Sequence, residues 1–448
     1  MSDVDVVVVG LGPGGESVAT QLAQAGLQVV AVDRHLVGGE CPYYGCIPTK
    51  MMVRGADLLA EGRRIPDFAG RSTVLSDWAP VHARISAEAT TDWDDRIAVD
   101  RLTDAGARFV RGTARLTGPR SVEVDGATYA ARIGVVLNTG TEPTPPPIEG
   151  LADTPFWSNR DACRAKELPG SLIVVGGGAI GAELGQVFAR FGVHVTMLEA
   201  GDRILSKEEP ESSRLLADVF ASDGIEVHAG VTIDSVSYTD EQFSVEVDGR
   251  RLHADRLLVA AGRRANLSGL GLETVGLDPA AHGVDVDGRL RAAEGLWAIG
   301  DITRKGAFTH VSMYQAAIVV RDILGQDGPE AEYRAVPRVT FTDPEVGTVG
   351  MTEKEALDAG LTVRVGTTDL ASSTRGWIHR GEGLVKLVED AERGVLVGAT
   401  SVGPTGGEVL SMLVTAVHAE VPTTTLRSMI YAYPTFHRAV EDALSKMA

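Results

Sequence analysis

Residues 4–33 read VDVVVVGLGPGGESVATQLAQAGLQVVAVD, and this stretch decides the fold. The Val-rich start predicts a buried strand, the next six residues a glycine-rich turn, and the remainder an amphipathic helix followed by a second strand that ends at Asp33. Residues 171–199, SLIVVGGGAIGAELGQVFARFGVHVTMLE, repeat this plan and end at Glu199. The sequence therefore predicts two βαβ units in one chain.

Each unit carries the spacing G-x-G-x-x-G, with a carboxylate about 20 residues further on. In this pattern the first glycine makes a tight turn, the second lets the backbone approach a pyrophosphate, and the third lets helix and strand pack closely. The helix N-terminus offers N–H groups to the phosphates, and the carboxylate binds ribose hydroxyls. One such turn alone is a weak signal, but two complete copies favour two bound dinucleotides. The glycines are Gly10, Gly12, Gly15, Gly176, Gly178 and Gly181.

Length and charge restrict the possible functions. At about 150 residues per domain, 448 residues suggest about three domains. The net charge of −19 repels phosphate backbones and anionic lipids, which argues against nucleic-acid and membrane-surface roles. No apolar run reaches the ~20 residues of a membrane span, and the start lacks a basic region before its short Val run. We therefore expect a cytoplasmic protein.

The rest of the chain also shows recognisable patterns. Residues 50–100 suggest helices, with apolar side chains expected in the core, and residues 141–150, TEPTPPPIEG, suggest a Pro-rich linker. Residues 225–262 suggest short strands, and from residue 334 the pattern is that of a separate α+β region. The expected core residues between 50 and 100 are Leu58, Leu59, Ile65, Phe68 and Trp78.

The cysteines point to redox chemistry. Cys41 follows Asp33 by only eight positions, so the pair Cys41 and Cys46 is delivered close to the first dinucleotide. A helix start in this stretch would favour a thiolate. Two inert thiols or half of a metal site are the alternatives, but no third cysteine or histidine cluster stands nearby, and we expect no metal site. Cys163 is interpreted as a bystander.

The stretch 38–50, GGECPYYGCIPTK, matches the signature GGxCxxxGCxPxK. With it, the whole chain resembles the FAD-dependent pyridine nucleotide–disulfide oxidoreductases. The resemblance implies an α/β fold with two Rossmann-like dinucleotide-binding domains and a C-terminal α+β dimerisation domain. The implied divisions are 1–145 and 266–333 for FAD, 146–265 for NAD(P) and 334–448 for the homodimer interface. Supporting matches are Thr139-Gly140, Ala261-Gly262-Arg263, Ala298-Ile299-Gly300-Asp301 and residues 341–346.

The resemblance also implies residue roles. Cys46 would face the flavin, Cys41 would meet the substrate, and Lys50, paired with Glu183, would lie near the flavin N5. FAD would be bound by Gly10, Gly12, Gly15, Asp33, Lys50, Ala114, Gly140, Asp301, Thr309 and His310. The nicotinamide cofactor would be bound by Gly176, Gly178, Gly181, Glu199 and Gly262. Because a carboxylate at 199 repels a 2′-phosphate, we expect NADH rather than NADPH, although Arg203 complicates the local charge.

The C-terminus departs from the family pattern. Members that reduce thiol substrates carry H-P-T-x-x-E, whose His is the acid/base for the interchange thiol and reaches the partner subunit's site. Here Tyr433 stands at the His position and Arg438 at the Glu position. A phenol, with a pKa of about 10, does not accept a proton near neutrality, but it donates a hydrogen bond. Arg438 adds a fixed positive charge, and His437 is a further proton-transfer candidate.

Three functions remain open at this point. The first is an NADH-dependent flavoprotein that passes electrons through FAD and a Cys41–Cys46 disulfide to an unidentified small-molecule disulfide or other acceptor. The second is a quinone, dye or metal-ion reductase in which the cysteines are idle. The third is a non-catalytic redox sensor or scaffold, which no residue pattern supports. The missing His counts against lipoamide and glutathione as substrates, and the chain lacks the C-terminal cysteine pair of mercury-reducing members.

Overall fold

A computed structural model describes residues 2–447, with side chains from residue 4 onward. The chain divides into two compact units. The first comprises the residues up to Pro48, Ala83–Thr144 and Arg263–Tyr333; the second comprises Thr49–His82, Pro145–Gly262 and the chain from Arg334. The four sequence divisions given above stay a prediction.

The strands include those of the two predicted βαβ units and the short strands expected within residues 225–262; the strands between residues 108 and 137 were not predicted. Within residues 2–447 they are β1 (Ser2–Val9), β2 (Val29–Asp33), β3 (Arg108–Arg111), β4 (Ala114–Gly118), β5 (Ser121–Val124), β6 (Ala127–Leu137), β7 (Thr141–Pro143), β8 (Ser171–Val175), β9 (His194–Glu199), β10 (Glu226–Ala229), β11 (Ile233–Thr239), β12 (Gln242–Val247), β13 (Arg250–Ala254), β14 (Arg256–Val259), β15 (Arg263–Ala265), β16 (Arg291–Ala293), β17 (Leu296–Ala298), β18 (Pro337–Thr340), β19 (Glu345–Gly350), β20 (Val363–Asp369), β21 (Leu384–Asp390) and β22 (Val395–Gly403).

The helices include two that follow each other directly across the cysteine stretch. Within residues 2–447 the α-helices are α1 (Pro13–Gln24), α2 (Glu40–Tyr44), α3 (Cys46–Phe68), α4 (Ala79–Arg84), α5 (Arg96–Asp104), α6 (Asn159–Arg164), α7 (Ala179–Arg190), α8 (Pro210–Ser222), α9 (Thr309–Ile323), α10 (Glu353–Asp358), α11 (Thr374–His379), α12 (Gly406–His418), α13 (Thr423–Ser428) and α14 (Ala439–Ser445).

The first unit is built on a sheet in the order β16-β17-β6-β1-β2-β3, in which β1 pairs in parallel with both β2 and β6. The four consecutive valines of β1, residues 6–9, are all buried because layers cover both faces of this sheet. Parallel strands place their carboxyl ends at one edge. The glycine-rich turn after β1 and the end of β6 therefore lie side by side.

The second unit repeats this arrangement on a smaller scale. Strands β10-β9-β8-β14 form a parallel sheet, in which Val175 of β8 pairs with Leu198 of β9. The chain from Arg334 forms an antiparallel sheet in the order β18-β19-β22-β21-β20. Leu410 and Leu413 of α12 and Leu444 of α14 belong to one buried cluster with this sheet. The α+β region expected from residue 334 is thus present.

One part of the predicted core is wrong. Trp78 is buried, and its ring contacts those of Phe188 and Phe191. The side chains of Leu58, Ile65 and Phe68 are exposed instead, because helical periodicity alone does not say which face of α3 is covered. The exposed Phe68 ring lies under the guanidinium groups of Arg64 and Arg380.

Across residues 2–447, the model contains no helix with the length and apolar character that a membrane crossing requires.

Candidate active site

Each of the two βαβ units contains the same kind of polar contact, at equivalent positions in its sequence. The Asp33 carboxylate accepts hydrogen bonds from the backbone N–H of Leu11 at 2.7 Å and of His35 at 2.7 Å. The Glu199 carboxylate accepts them from Gly177 at 2.6 Å and Gly201 at 2.6 Å. Each acidic residue at the end of a second strand therefore holds the glycine-rich turn of its own unit. A ribose at either site would meet a carboxylate that is already fixed.

The glycines in the turns are required by geometry. Gly10 and Gly176 have φ angles of +88° and +106°, a region that L side chains rarely adopt. A Cβ atom at Gly15 would lie 2.0 Å from the Gly10 carbonyl oxygen, and one at Gly181 would lie 1.9 Å from that of Gly176. These positions let helix and strand approach as closely as the dinucleotide pattern requires.

The helix starts fit a pyrophosphate. Helices α1 and α7 begin after Gly12 and Gly178, and neither cap residue supplies a side-chain hydrogen bond. The first N–H groups of a helix have no intrahelical partner, so they remain open to an anionic ligand. A Cβ at Gly178 would meet nothing within 4 Å, so this glycine leaves open space where a phosphate would lie. In the part of the chain that is described, the buried Thr139 hydroxyl also has no hydrogen-bond partner.

A chain of polar contacts borders the first turn. Thr141 donates to the Asp301 carboxylate at 2.6 Å, and the Arg263 Nε donates to Thr141 Oγ1 at 2.9 Å. The Arg263 guanidinium also lies 3.5 Å from a carboxylate oxygen of Glu40, the residue before Cys41. Asp301, predicted for the flavin side, is thus linked through three residues to the cysteine segment. Thr141 and Glu40 were absent from the sequence prediction because no motif marks them.

The two cysteines lie together in the first unit. Cys41 is in α2 and half-buried, whereas Cys46 is the first residue of α3 and exposed; the structure holds both as thiols. The hydrogen bond between the two sulfur groups, with burial next, raises the pKa of Cys41 far above its ordinary value. The two thiols are thus within hydrogen-bonding reach of each other.

Thr309, the first residue of α9, lies against the pair. Its hydroxyl oxygen is 3.4 Å from the Cys46 sulfur, and this hydroxyl acts on the pKa of Cys41 in the opposite direction to burial, lowering it. His310 follows, with its ring stacked on that of Phe308 at 5.1 Å between centroids. Of the two residues predicted to border the flavin ring, Thr309 is therefore in contact with the cysteine pair.

Lys50 and Glu183 form the predicted pair. The Lys50 ammonium lies 2.5 Å from one oxygen of Glu183, whose other oxygen accepts a hydrogen bond from the Phe341 N–H at 2.8 Å. The ammonium also lies 4.5 Å from the centre of the Phe341 ring. Glu183 is buried, so a charged partner is needed to hold it there. The sequence marks Phe341 only as the start of a motif and gives no sign of this contact.

The C-terminal substitutions form a contact of their own. Tyr433 is 65% exposed, and its hydroxyl donates to Thr374 Oγ1 at 3.1 Å. The Arg438 guanidinium lies 5.4 Å from the centre of the Tyr433 ring and 2.9 Å from Glu441. The His437 ring faces that of Tyr431 at 6.2 Å instead of Tyr433. The phenol and the guanidinium are thus presented together on an exposed surface.

The remaining candidates are placed as follows. Ala114 is the first residue of β4 and buried, and Gly140 follows β6 with a positive φ angle. Gly262 directly precedes β15. Cys163 is fully buried in α6. Among the residues described, no group of three or more His, Cys, Asp or Glu side chains is arranged to hold a metal ion.

Thr309 gives a direct test of this geometry. We expect Thr309→Val to raise the apparent pKa of the reduced cysteine pair, because the hydroxyl that stabilises the thiolate is lost. The measurement is the rate of iodoacetamide alkylation of the reduced protein against pH, with the modified cysteine identified by mass spectrometry. Thr103→Val is the matched control, since this hydroxyl bonds only carbonyl oxygens of its own helix. An unchanged pH profile for Thr309→Val would contradict the assignment.

Comparisons with known proteins agree with this geometry. The model of the family "Pyridine nucleotide-disulphide oxidoreductase" matches residues 4–316, and that of its dimerisation domain matches residues 336–444. A dihydrolipoyl dehydrogenase of Thermus scotoductus is 34% identical, over 99% of this chain and 97% of that protein. A mercuric reductase of Staphylococcus aureus is 30% identical, over 93% of this chain and 77% of that protein.

Solved structures give the same result. The HOCl-induced flavoprotein disulfide reductase RclA of Escherichia coli matches with a TM-score of 0.86 and 28% identity, over 98% of this chain and 99% of that chain. LpdA of Mycobacterium tuberculosis matches with a TM-score of 0.87 and 26% identity, over 99% and 100%. The paired dinucleotide turns, the adjacent cysteines and these matches lead to one conclusion: the chain belongs to the pyridine nucleotide–disulfide oxidoreductases, enzymes that depend on FAD and NAD(P)H, and it carries their dimerisation domain.

Proposed function

We propose that this enzyme passes electrons from NADH through FAD to a Cys41–Cys46 disulfide, and from the resulting dithiol to a small-molecule disulfide or another small oxidant. The observation that carries the proposal is the contact between the two sulfur groups, with Thr309 against them. Neither idle thiols nor a metal site would need that arrangement.

Bound FAD would supply the two-electron chemistry between nicotinamide and disulfide. For this chain's own residues, we assign Gly10, Gly12 and Gly15 to the pyrophosphate, Asp33 to the adenosine ribose, and Asp301 to the flavin side. Ala114, Gly140, Thr309 and His310 would line the rest of that site. Lys50, one helical turn after Cys46 in α3, would place its ammonium near the flavin N5.

The dithiol would reduce a disulfide acceptor in two balanced steps. Cys41 gives up its proton and attacks one sulfur of the acceptor, forming a mixed disulfide and releasing the other half as a thiolate, which takes up that proton. Cys46 then attacks Cys41, closes the Cys41–Cys46 bond and releases the second half as a thiol.

We assign Tyr433 and Arg438 to the acceptor side of the site in a homodimer. Their exposed contact is a hydrogen-bond donor beside a fixed charge, which suits a developing thiolate. Exposed apolar side chains of the same unit, among them Trp377 and Ile430, would be covered by the partner subunit.

Sedimentation of the purified protein should give twice the chain mass, and a fully active monomer would contradict the assignment of a homodimer.

The cofactor preference follows from charge at Glu199. The carboxylate is fixed by two backbone N–H groups and would repel a 2′-phosphate. Arg203 does not offset it, because its guanidinium donates to the carbonyl oxygens of Ser206 and Glu208 and lies 3.3 Å from Asp202. We therefore propose NADH as the natural donor.

A second candidate is reduction of a metal ion or quinone without the thiols. One observation favours it: RclA, with which this chain shares its fold, has been solved as a Cu(II) complex. A copper ion as electron acceptor would be a substrate and needs no resident site. The role of the cysteines separates the two candidates.

Replacing one cysteine decides between these functions. We expect Cys46→Ser to lower turnover of the natural acceptor by about 10³-fold, because the mixed disulfide at Cys41 can no longer be resolved. NADH should still bleach the flavin in this variant. Steady-state rates are measured with disulfide, quinone and Cu(II) acceptors, and Cys163→Ser, a buried thiol, is the control that keeps full activity. Full activity of Cys46→Ser towards the true acceptor would favour the thiol-independent function.

The donor preference has its own test. We expect wild-type enzyme to use NADH over NADPH, and Glu199→Gln to reduce the ratio of their kcat/KM values by about tenfold, equivalent to about 1.4 kcal/mol. Gln removes the charge but keeps an oxygen for one of the two backbone N–H groups. Arg203→Gln is the control and should leave the ratio unchanged. An equal ratio for wild type and Glu199→Gln would contradict the role given to this carboxylate.

A further inference from the structure

Helix α7 presents three polar side chains on one face at successive turns, Glu183, Gln186 and Arg190. All three are buried, which is costly for charged and amide groups unless each has partners. The proposed function uses only Glu183. The other two hold the same neighbouring segment, residues 341–343, and this shared target gives them a role.

Gln186 and Arg190 fix Asp343 at three atoms. The Gln186 amide oxygen accepts from the Asp343 N–H at 2.8 Å, and its NH₂ group donates to the Asp343 carbonyl oxygen at 2.8 Å. Arg190 reaches the Asp343 carboxylate at 2.9 Å. Two residues earlier, the Phe341 N–H is held by Glu183. The segment is thus attached to α7 at both ends.

Arg190 also holds the helix that carries Lys50. Its guanidinium contacts the Asp57 carboxylate at 3.0 Å and that of Asp223 at 3.0 Å. Asp57 follows Lys50 by seven residues, two turns along one face of α3. Burial and the neighbouring Asp343 carboxylate raise the pKa of Asp57 to about 6, whereas Arg190 acts to lower it. The Arg190 guanidinium is paired with three carboxylates, those of Asp57, Asp223 and Asp343.

We propose that Arg190 and Gln186 are positioning residues for Lys50. They fix α3 and the Phe341–Asp343 segment to α7, and the Phe341 ring and Glu183 then confine the Lys50 ammonium to one place. Truncating either residue would free the segment and let the ammonium move. The inference deepens the proposed function and rests on it in one respect, the assignment of Lys50 to the flavin.

The test is a double-mutant cycle on the midpoint potential of the bound flavin in the holoenzyme. Lys50→Met should make the potential more negative, because a positive charge that favours added electrons is lost. Arg190→Gln should shift it in the same direction, and Arg190→Lys should restore part of the shift. In the Lys50→Met background, Arg190→Gln should cause no further shift, because it acts only through the ammonium.

A second readout needs no electron transfer. Amide hydrogen exchange at Phe341 and Asp343 should rise by about tenfold or more in Arg190→Gln, since these N–H groups depend on the α7 contacts. If Arg190→Gln does not fold, Gln186→Met takes its place in the double-mutant cycle. This substitution removes both hydrogen bonds to the Asp343 backbone and leaves no unpaired charge.

Lys386→Met is the matched control. Lys386 is likewise a buried cation with three carboxylates, those of Glu209, Glu211 and Glu353, and none of them touches Lys50 or Phe341 among the described contacts. It should lose stability without moving the flavin potential. Additive shifts of Lys50→Met and Arg190→Gln, or no shift in either, would overturn the inference. Failure of the disulfide route would appear separately, in Cys46→Ser.

Discussion

The structure depends on a carboxylate that closes a glycine-rich turn, and it uses this contact twice. Asp33 and Glu199 each accept two backbone N–H groups at the end of a second parallel strand. Without the carboxylates, the N–H groups of the buried turn residues Leu11 and Gly177 would lose these hydrogen bonds, at a cost of about 1–3 kcal/mol for each group. Because the turns are fixed, the helix N-termini that follow them are placed for phosphate before any ligand arrives.

The cysteine segment follows shortly after this contact in the chain. The chain leaves β2 at Asp33 and enters α2 and α3 within a few residues, so Cys41 and Cys46 remain in the first unit beside Thr309. Four residues after Cys46 in α3, Lys50 meets Glu183. A single helix therefore carries both a thiol and an ammonium, four residues apart.

Local sequence patterns predicted much of this arrangement. The two βαβ units follow from motifs with fixed spacing, the pair of Lys50 and Glu183 was implied by the family resemblance, and the region from residue 334 was expected to be α+β without its antiparallel strand order. The sequence did not predict which side of α3 is exposed, because helical periodicity does not show what covers a given face of a helix. The polar contacts of Arg190 join four distant segments, and no local pattern encodes such a meeting. The C-terminal motif revealed its substitutions, but only the structure shows the Arg438 guanidinium over the Tyr433 ring.

The central claim is that the cysteine pair stores electrons taken from NADH. The most direct measurement is an anaerobic titration of the purified holoenzyme with NADH and then dithionite, with flavin absorbance and new thiols followed together. We predict four electrons per FAD at full reduction, with two new thiols per chain appearing before the flavin is bleached. Uptake of only two electrons per FAD, with no new thiols, would contradict it.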